Sequence, residues 1–60
     1  MRIYSMSELF RMTRAELFQL YARTAIELPQ LPEGSYDRYV ALTNLRGVRH
    51  ALTRSTLRPG

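Results

Sequence analysis

The sequence contains no cysteine, which excludes disulfide bracing and thiolate metal sites and fits a reducing compartment. It has no lysine either, and all nine basic residues are arginines. Histidine occurs once, at position 50. Long apolar runs are absent, so neither a membrane-spanning helix nor the apolar centre of a signal peptide can be drawn, and Glu8 stands where such a centre would need to be uncharged. The chain reads as cytoplasmic, with no membrane among its partners. Catalytic patterns are missing as well: there is no H-x-E, H-E-x-x-H, G-x-x-x-x-G-K or G-x-G-x-x-G. One helical turn from His50 lie Arg46, Gly47, Thr53 and Arg54, none of which supplies a carboxylate to orient an imidazole or share a metal. The sequence argues against an enzyme and implies no metal and no cofactor.

What is present is 60 residues with a net charge of +4. A chain of this length forms one domain, residues 1–60, and buries only about 60% of the surface its unfolded form exposes. With no disulfide or metal to brace it, it needs an idealised helical core or a second chain to pack against. The charge suits nucleic acid, an acidic protein patch or plain solubility. An all-arginine composition does not by itself indicate phosphate binding.

Breakers are concentrated in "LPQLPEGS", Leu28 to Ser35, with helical periodicity on both sides. This marks the main turn. "LPEG" can close a tight turn with Pro32 at its second position, and Ser35 can cap a following helix whose first turn holds Asp37. Upstream, Ser5 with Glu8 and Thr13 with Glu16 each have the S/T-x-x-E spacing of a capping box. The expectation is an all-α fold without strands. A short N-terminal helix near 6–11 precedes an antiparallel hairpin of helices near 14–28 and 36–54, about 22 and 28 Å long, and a tail over 55–60 frays.

At 100° per residue the second helix gathers Leu17, Phe18, Tyr21, Ala25 and Leu28 around one direction, and Phe18 and Tyr21 are expected in the core. Leu20 lies on one flank and Ala15, Ala22 and Ile26 on the other. The apolar arc therefore spans roughly two thirds of the circumference, where a surface helix needs only about 100°. The third helix turns Ala41, Leu45, Val48 and Leu52 inward, with Leu42 beside them and Val40 and Ala51 on a flank. A short first helix carrying Leu9, Phe10 and Met12 can cover one side of such a hairpin but not both. An apolar strip of the second helix is thus expected to meet something outside the monomer, a homodimer mate or another protein. Phe10, Leu17, Leu20, Tyr21, Ile26 and Tyr39 are the apolar candidates for that contact, since aromatics and large aliphatics are what interface cores bury.

"NLRGVRHALTR", Asn44 to Arg54, adds a basic stripe in which Arg46, His50 and Arg54 follow i, i+4, i+8. On phosphates these would make a small DNA-binding regulator, the alternative reading. A helix-turn-helix, however, joins its helices by three or four residues. Its recognition helix reads bases from its N-terminal part, which here is "YDRYVALT". Arginines near a helix C-terminus are also what the helix dipole favours. The stripe is therefore read first as a solvated face that complements the helix dipole, next as the rim of a contact with an acidic protein partner, for which Arg46 and His50 are the candidates, and last as a nucleic-acid surface. Gly47 costs about 1 kcal/mol relative to alanine in a helix interior. It is a neutral choice, a slight kink or a place where a partner backbone approaches closely, beside the flank formed by Asn44, Ala51 and Val40.

The stretch "MSELFRMTRAELFQLYARTAIELPQLPEGSYDRYVALTNLRGVRHAL" resembles a family of small α-proteobacterial proteins carried by mobile elements, the quorum-sensing antiactivators of integrative and conjugative elements. The likeness runs over about residues 6 to 55 and is carried by the capping-box opening, the P-E-G-S turn and the N-L-R run. It implies a protein that binds transcriptional activators of element transfer, among them a LuxR-type regulator, and keeps them inactive. The resemblance brings no site motif with it, so the candidate residues come from the helix faces alone. The expected function is that of a non-enzymatic antiactivator acting through an apolar helical face.

Overall fold

The computed structural model describes residues 2–57, with side chains described through Arg54. Three α-helices, α1 (Met6–Arg11), α2 (Arg14–Glu27) and α3 (Tyr36–Leu57), are joined by a sharp corner and by a loop that begins with a 3-10 turn, Leu28–Gln30. There is no strand among the described residues. Both expected capping boxes are formed. At Ser5 the Glu8 amide donates to the hydroxyl at 3.2 Å while the Ser5 amide donates to the Glu8 carboxylate at 2.9 Å. At Thr13 the same exchange with Glu16 has distances of 3.1 and 2.8 Å. Each box satisfies two amides that a helix start leaves without partners.

The helix boundaries depart from expectation where proline and glycine act. Pro29 has no N–H to continue the α-helical ladder, so α2 stops at Glu27 and the chain tightens into the 3-10 turn with Pro29 near its start. The following turn closes one residue later than the sequence suggests. Among the described residues Gly34 alone takes a positive φ, +79°, and the Ser35 amide donates to the Pro32 carbonyl at 3.2 Å. Pro32 is thus the first residue of the turn and Gly34 the third, the position that needs positive φ in a type II turn. The Ser35 hydroxyl then caps α3 by accepting from the Arg38 amide at 3.2 Å. The Arg38 guanidinium reaches back to the carbonyls of Leu28 and Leu31, at 3.2 and 3.4 Å, and so closes the end of the preceding segment. The third helix continues to Leu57, past the expected end at 54. Of the expected frayed tail, residues 58–60 lie outside the described residues.

α2 and α3 pack as an antiparallel hairpin and α1 lies against α3. Leu9, Leu17, Val48 and Ala51 form the centre of the core, with Tyr4, Met6, Met12, Leu20, Tyr21 and Leu52 packed around them. Two expectations are corrected here. Phe18 is 52% exposed rather than core, because the face α2 buries is turned toward Leu20 and Thr24. Thr24 can be buried because its hydroxyl donates to the Leu20 carbonyl at 2.8 Å within its own helix. Leu42, expected beside the inward stripe of α3, is exposed, while Val40 and Ala51 are fully buried. The buried side of α3 is shifted because it serves two neighbours, α2 and α1.

One buried polar side chain ties the N-terminal segment to this core. Asn44, 2% exposed, accepts a hydrogen bond from the Tyr4 amide through Oδ1 and donates to the Arg2 carbonyl through Nδ2, both at 2.9 Å. An amide N–H can only donate and a carbonyl only accept, so the two partners fix which way the Asn44 amide points. Replacement by alanine leaves both backbone groups without their partner. We expect Asn44→Ala to lower stability by about 2–3 kcal/mol in urea unfolding and to release the Tyr4 amide to rapid hydrogen exchange.

The same segment is held by charge. Arg2 forms an ion pair with Glu8; that hydrogen bond, helped by the Ser5 amide, holds the Glu8 carboxyl down at about 2. A carboxylate whose pKa is lower in the folded chain contributes stability that is fully present above its ordinary range, near 4.5, and disappears as pH falls toward 2. An NMR titration should place the Glu8 midpoint near 2 in the native chain and move it toward the ordinary carboxylate range in Arg2→Ala.

Candidate protein-interaction site

The candidate contact residues do not converge on one patch. Leu17 is 2% exposed at the centre of the core, so it offers a partner no surface, and its assignment to an interface is corrected. Leu20 and Tyr21 are half-buried against that same core. The Leu20 side of α2 borders the N-terminal segment through a cleft it shares with Arg2, Tyr4, Thr24 and Asn44.

Gly47 does permit a close approach, but from within the chain. A Cβ at this position would lie 2.8 Å from a Leu9 methyl and 3.6 Å from the Met6 sulfur. Leu9 is itself buried. The missing side chain is what lets α1 seat on α3, so the idea of a partner backbone at Gly47 is corrected too.

The basic stripe is likewise partly engaged. Phe10 is exposed, its ring lies 6.2 Å from the His50 ring, and the Arg54 guanidinium sits 5.0 Å above it. Stacking of this kind is worth about 0.5–1 kcal/mol at an exposed site. It joins the C-terminal end of α1 to the last described turns of α3. Below Phe10 a groove lined by Met12, Arg14, Leu17, Ala51 and Arg54 runs toward the start of α2. Tyr39 and Arg46 are exposed on the outer side of α3, where Tyr39 pairs with Tyr36 at 6.3 Å between ring centroids.

Ile26 belongs to a different surface. It is 69% exposed and stands on the flank of α2 opposite Leu20 and Thr24. At 100° per residue Phe18, Ala22 and Ile26 follow i, i+4, i+8 down this flank, with Ala15 and Ala25 beside them. Since Asn44 and Gly47 mark the side of α3 that faces α1 and the N-terminal segment, the opposite side of α3 presents Leu42, Leu45 and Arg49. The hairpin thus has one side covered by residues 2–11 and one side left open. Phe18, Ala22, Leu42 and Arg49 are the residues that sequence reasoning left out. The signal that could have found the first two is Thr24: counting it as buried turns the face of α2 onto Leu17, Leu20, Tyr21, Thr24 and Leu28, which puts Phe18 outside.

Charge is divided unevenly between the helices. Beyond Asp37, α3 carries Arg38, Arg46, Arg49, His50 and Arg54 and no carboxylate. Glu8 and Glu16 are committed to capping boxes. No group of three or more histidine, aspartate or glutamate side chains able to hold a metal occurs among the described residues. No helix among them is long and apolar enough to cross a membrane. Comparison by sequence and by fold finds no matching family model, curated protein or solved structure.

The packing at Gly47 is directly testable. A branched side chain there must displace Leu9 from the core, and overpacking of this kind costs about 1–3 kcal/mol. We expect Gly47→Val to shift the urea midpoint down by a corresponding amount and to raise amide exchange throughout α1. Unchanged exchange in α1 would contradict the close packing.

Proposed function

We propose that this chain is a non-enzymatic regulatory protein that binds a transcriptional activator and holds it inactive, docking through the open side of the α2–α3 hairpin. The observation that carries the reading is the exposure of Phe18 and Ile26, 52% and 69%, on a strip of α2 that has no charged residue between them in the i, i+4, i+8 line. Large apolar side chains grouped on one face of a small domain mark a contact surface more often than isolated ones do. The resemblance of the sequence to antiactivators of element transfer favours a transcriptional activator, a LuxR-type regulator among them, as the protein that covers the strip. Its place of action would then be the cytoplasm.

The DNA-binding alternative relies on Arg46, His50 and Arg54 acting together on phosphates. His50 and Arg54 lie against Phe10 instead, which favours the protein-binding reading.

Both apolar anchors are exposed, so they can be changed with the fold retained. In a reporter strain for activator-dependent transcription, Phe18→Asp and Ile26→Asp should each relieve repression, with circular dichroism unchanged. Loss of about 2 kcal/mol from one interface anchor corresponds to roughly thirtyfold weaker binding. Repression that survives the double substitution would rule out this face.

A further inference from the structure

We infer that the groove beneath Phe10 binds a small organic anion, a carboxylate carried on an apolar body. The groove has a volume of about 530 Å³, within the range of small-molecule pockets. It lies at the corner between α1 and α2, beside the last described turns of α3. Neither Phe18 nor Ile26 lines it, so it is separate from the strip proposed to meet a protein.

Two kinds of side chain meet in this groove. Leu9, Leu17 and Ala51, all buried, make an aliphatic floor, and the half-buried Met12 and the exposed ring of Phe10 extend it. Covering such a surface removes apolar area from water, which favours a ligand with an apolar body. Among the described residues the charged side chains that line the groove are Arg14 and Arg54, and no carboxylate does. Glu16, next in sequence, accepts from the Thr13 amide at 2.8 Å, and Glu8 is paired with Arg2. Positive charge beside an apolar floor therefore selects an anion that brings its own apolar part. A bare anion would leave the floor wet, and a neutral body would gain nothing from the arginines.

The guanidiniums are also placed in advance. Arg54 lies over the Phe10 ring at 5.0 Å and Arg14 over the Phe18 ring at 5.5 Å. Ring contacts restrict these long side chains before a ligand arrives, so less rotamer freedom is lost on binding. The planar fork of a guanidinium matches the two oxygens of a carboxylate. A single negative charge suits the site better than a phosphate monoester, whose second charge would also have to leave water against the aliphatic floor.

The probe is 1-naphthaleneacetate, compared with its neutral amide and with inorganic phosphate. Titrated into the 15N-labelled full chain, naphthaleneacetate should move the resonances of Met12, Leu17, Ala51 and Arg54 to saturation. The amide should bind about tenfold more weakly, and phosphate should give no saturable shift there. Arg54→Gln should weaken naphthaleneacetate about tenfold and Arg54→Lys by less, since lysine keeps the charge and loses the fork. Because Arg54→Gln also removes a contact with Phe10, Arg14→Gln provides a second test, with circular dichroism unchanged in both. Arg46→Gln makes the same change in net charge outside the groove and should leave the affinity as it is, as should Ile26→Asp on the separate strip. The inference is overturned if naphthaleneacetate does not saturate these resonances, if the amide or phosphate binds as well, or if Arg46→Gln weakens binding as much as Arg54→Gln. It is overturned too if the free chain fills the groove, either with residues 55–60, seen as nuclear Overhauser contacts to Leu17 or Ala51, or with a second copy, seen as a dimer in sedimentation. Tighter binding of the capped tripeptide acetyl-Leu-Glu-Leu-amide would assign the groove to a protein side chain and overturn the small-molecule ligand.

Discussion

Asn44 sits near the middle of the longest helix with both ends of its amide engaged by backbone groups of residues 2 and 4. A helix has no spare backbone donors or acceptors along its length, so an extended segment can lie against it only where a side chain supplies them. Asn44 does this in both directions at once. With Arg2 and Tyr4 fixed, the chain enters α1 at a set angle, Leu9 drops onto Gly47, and Met6 and Met12 close over the core. The small residues of α3 make sense in this light: an amide to hold the N-terminal segment, a glycine to admit the helix, and Ala51 to let the core come close. The arrangement covers one side of the hairpin with residues 2–11 and, among the described residues, leaves the other side uncovered.

The overall architecture was largely legible in the sequence. Two S/T-x-x-E boxes, a proline- and glycine-rich turn and unbroken 3.6-residue periodicity fix three helices to within a few residues, because caps and breakers act locally. The faces were harder to read. Phe18 looks like core on a wheel drawn from hydrophobicity alone, and Thr24 looks like surface. Their roles exchange because a threonine hydroxyl can satisfy itself on the carbonyl four residues back, which makes it as buriable as valine when a neighbouring segment needs the space. Val40 and Ala51 were placed on a flank because the sequence does not reveal that α1 packs on α3 rather than across the hairpin. The link between Asn44 and residues 2 and 4 spans about forty positions and has no local signature at all.

The candidate site was legible only in outline. The excess of apolar surface on α2 is present in the sequence as an arc too wide for one neighbour, and the structure divides that arc into a side that is used and a side that is not. Leu17, Leu20 and Tyr21 go to the first, Ile26 to the second. The arginine stripe, the most conspicuous feature of the sequence, divides as well. Arg54 and His50 serve the Phe10 contact, and Arg46 is left to face outward. Charge that reads as one line in sequence is in fact divided between two surroundings.

Because the extended segment at residues 2–4 is bound to the middle of α3, on the side away from Phe18 and Ile26, a label placed at the exposed Ile3 stands on the back of the molecule. A fluorophore or a tether placed there stays clear of the proposed contact strip on α2. Immobilising the chain through that position would therefore leave Phe18 and Ile26 facing outward, with the two hydrogen bonds of Asn44 next to the point of attachment.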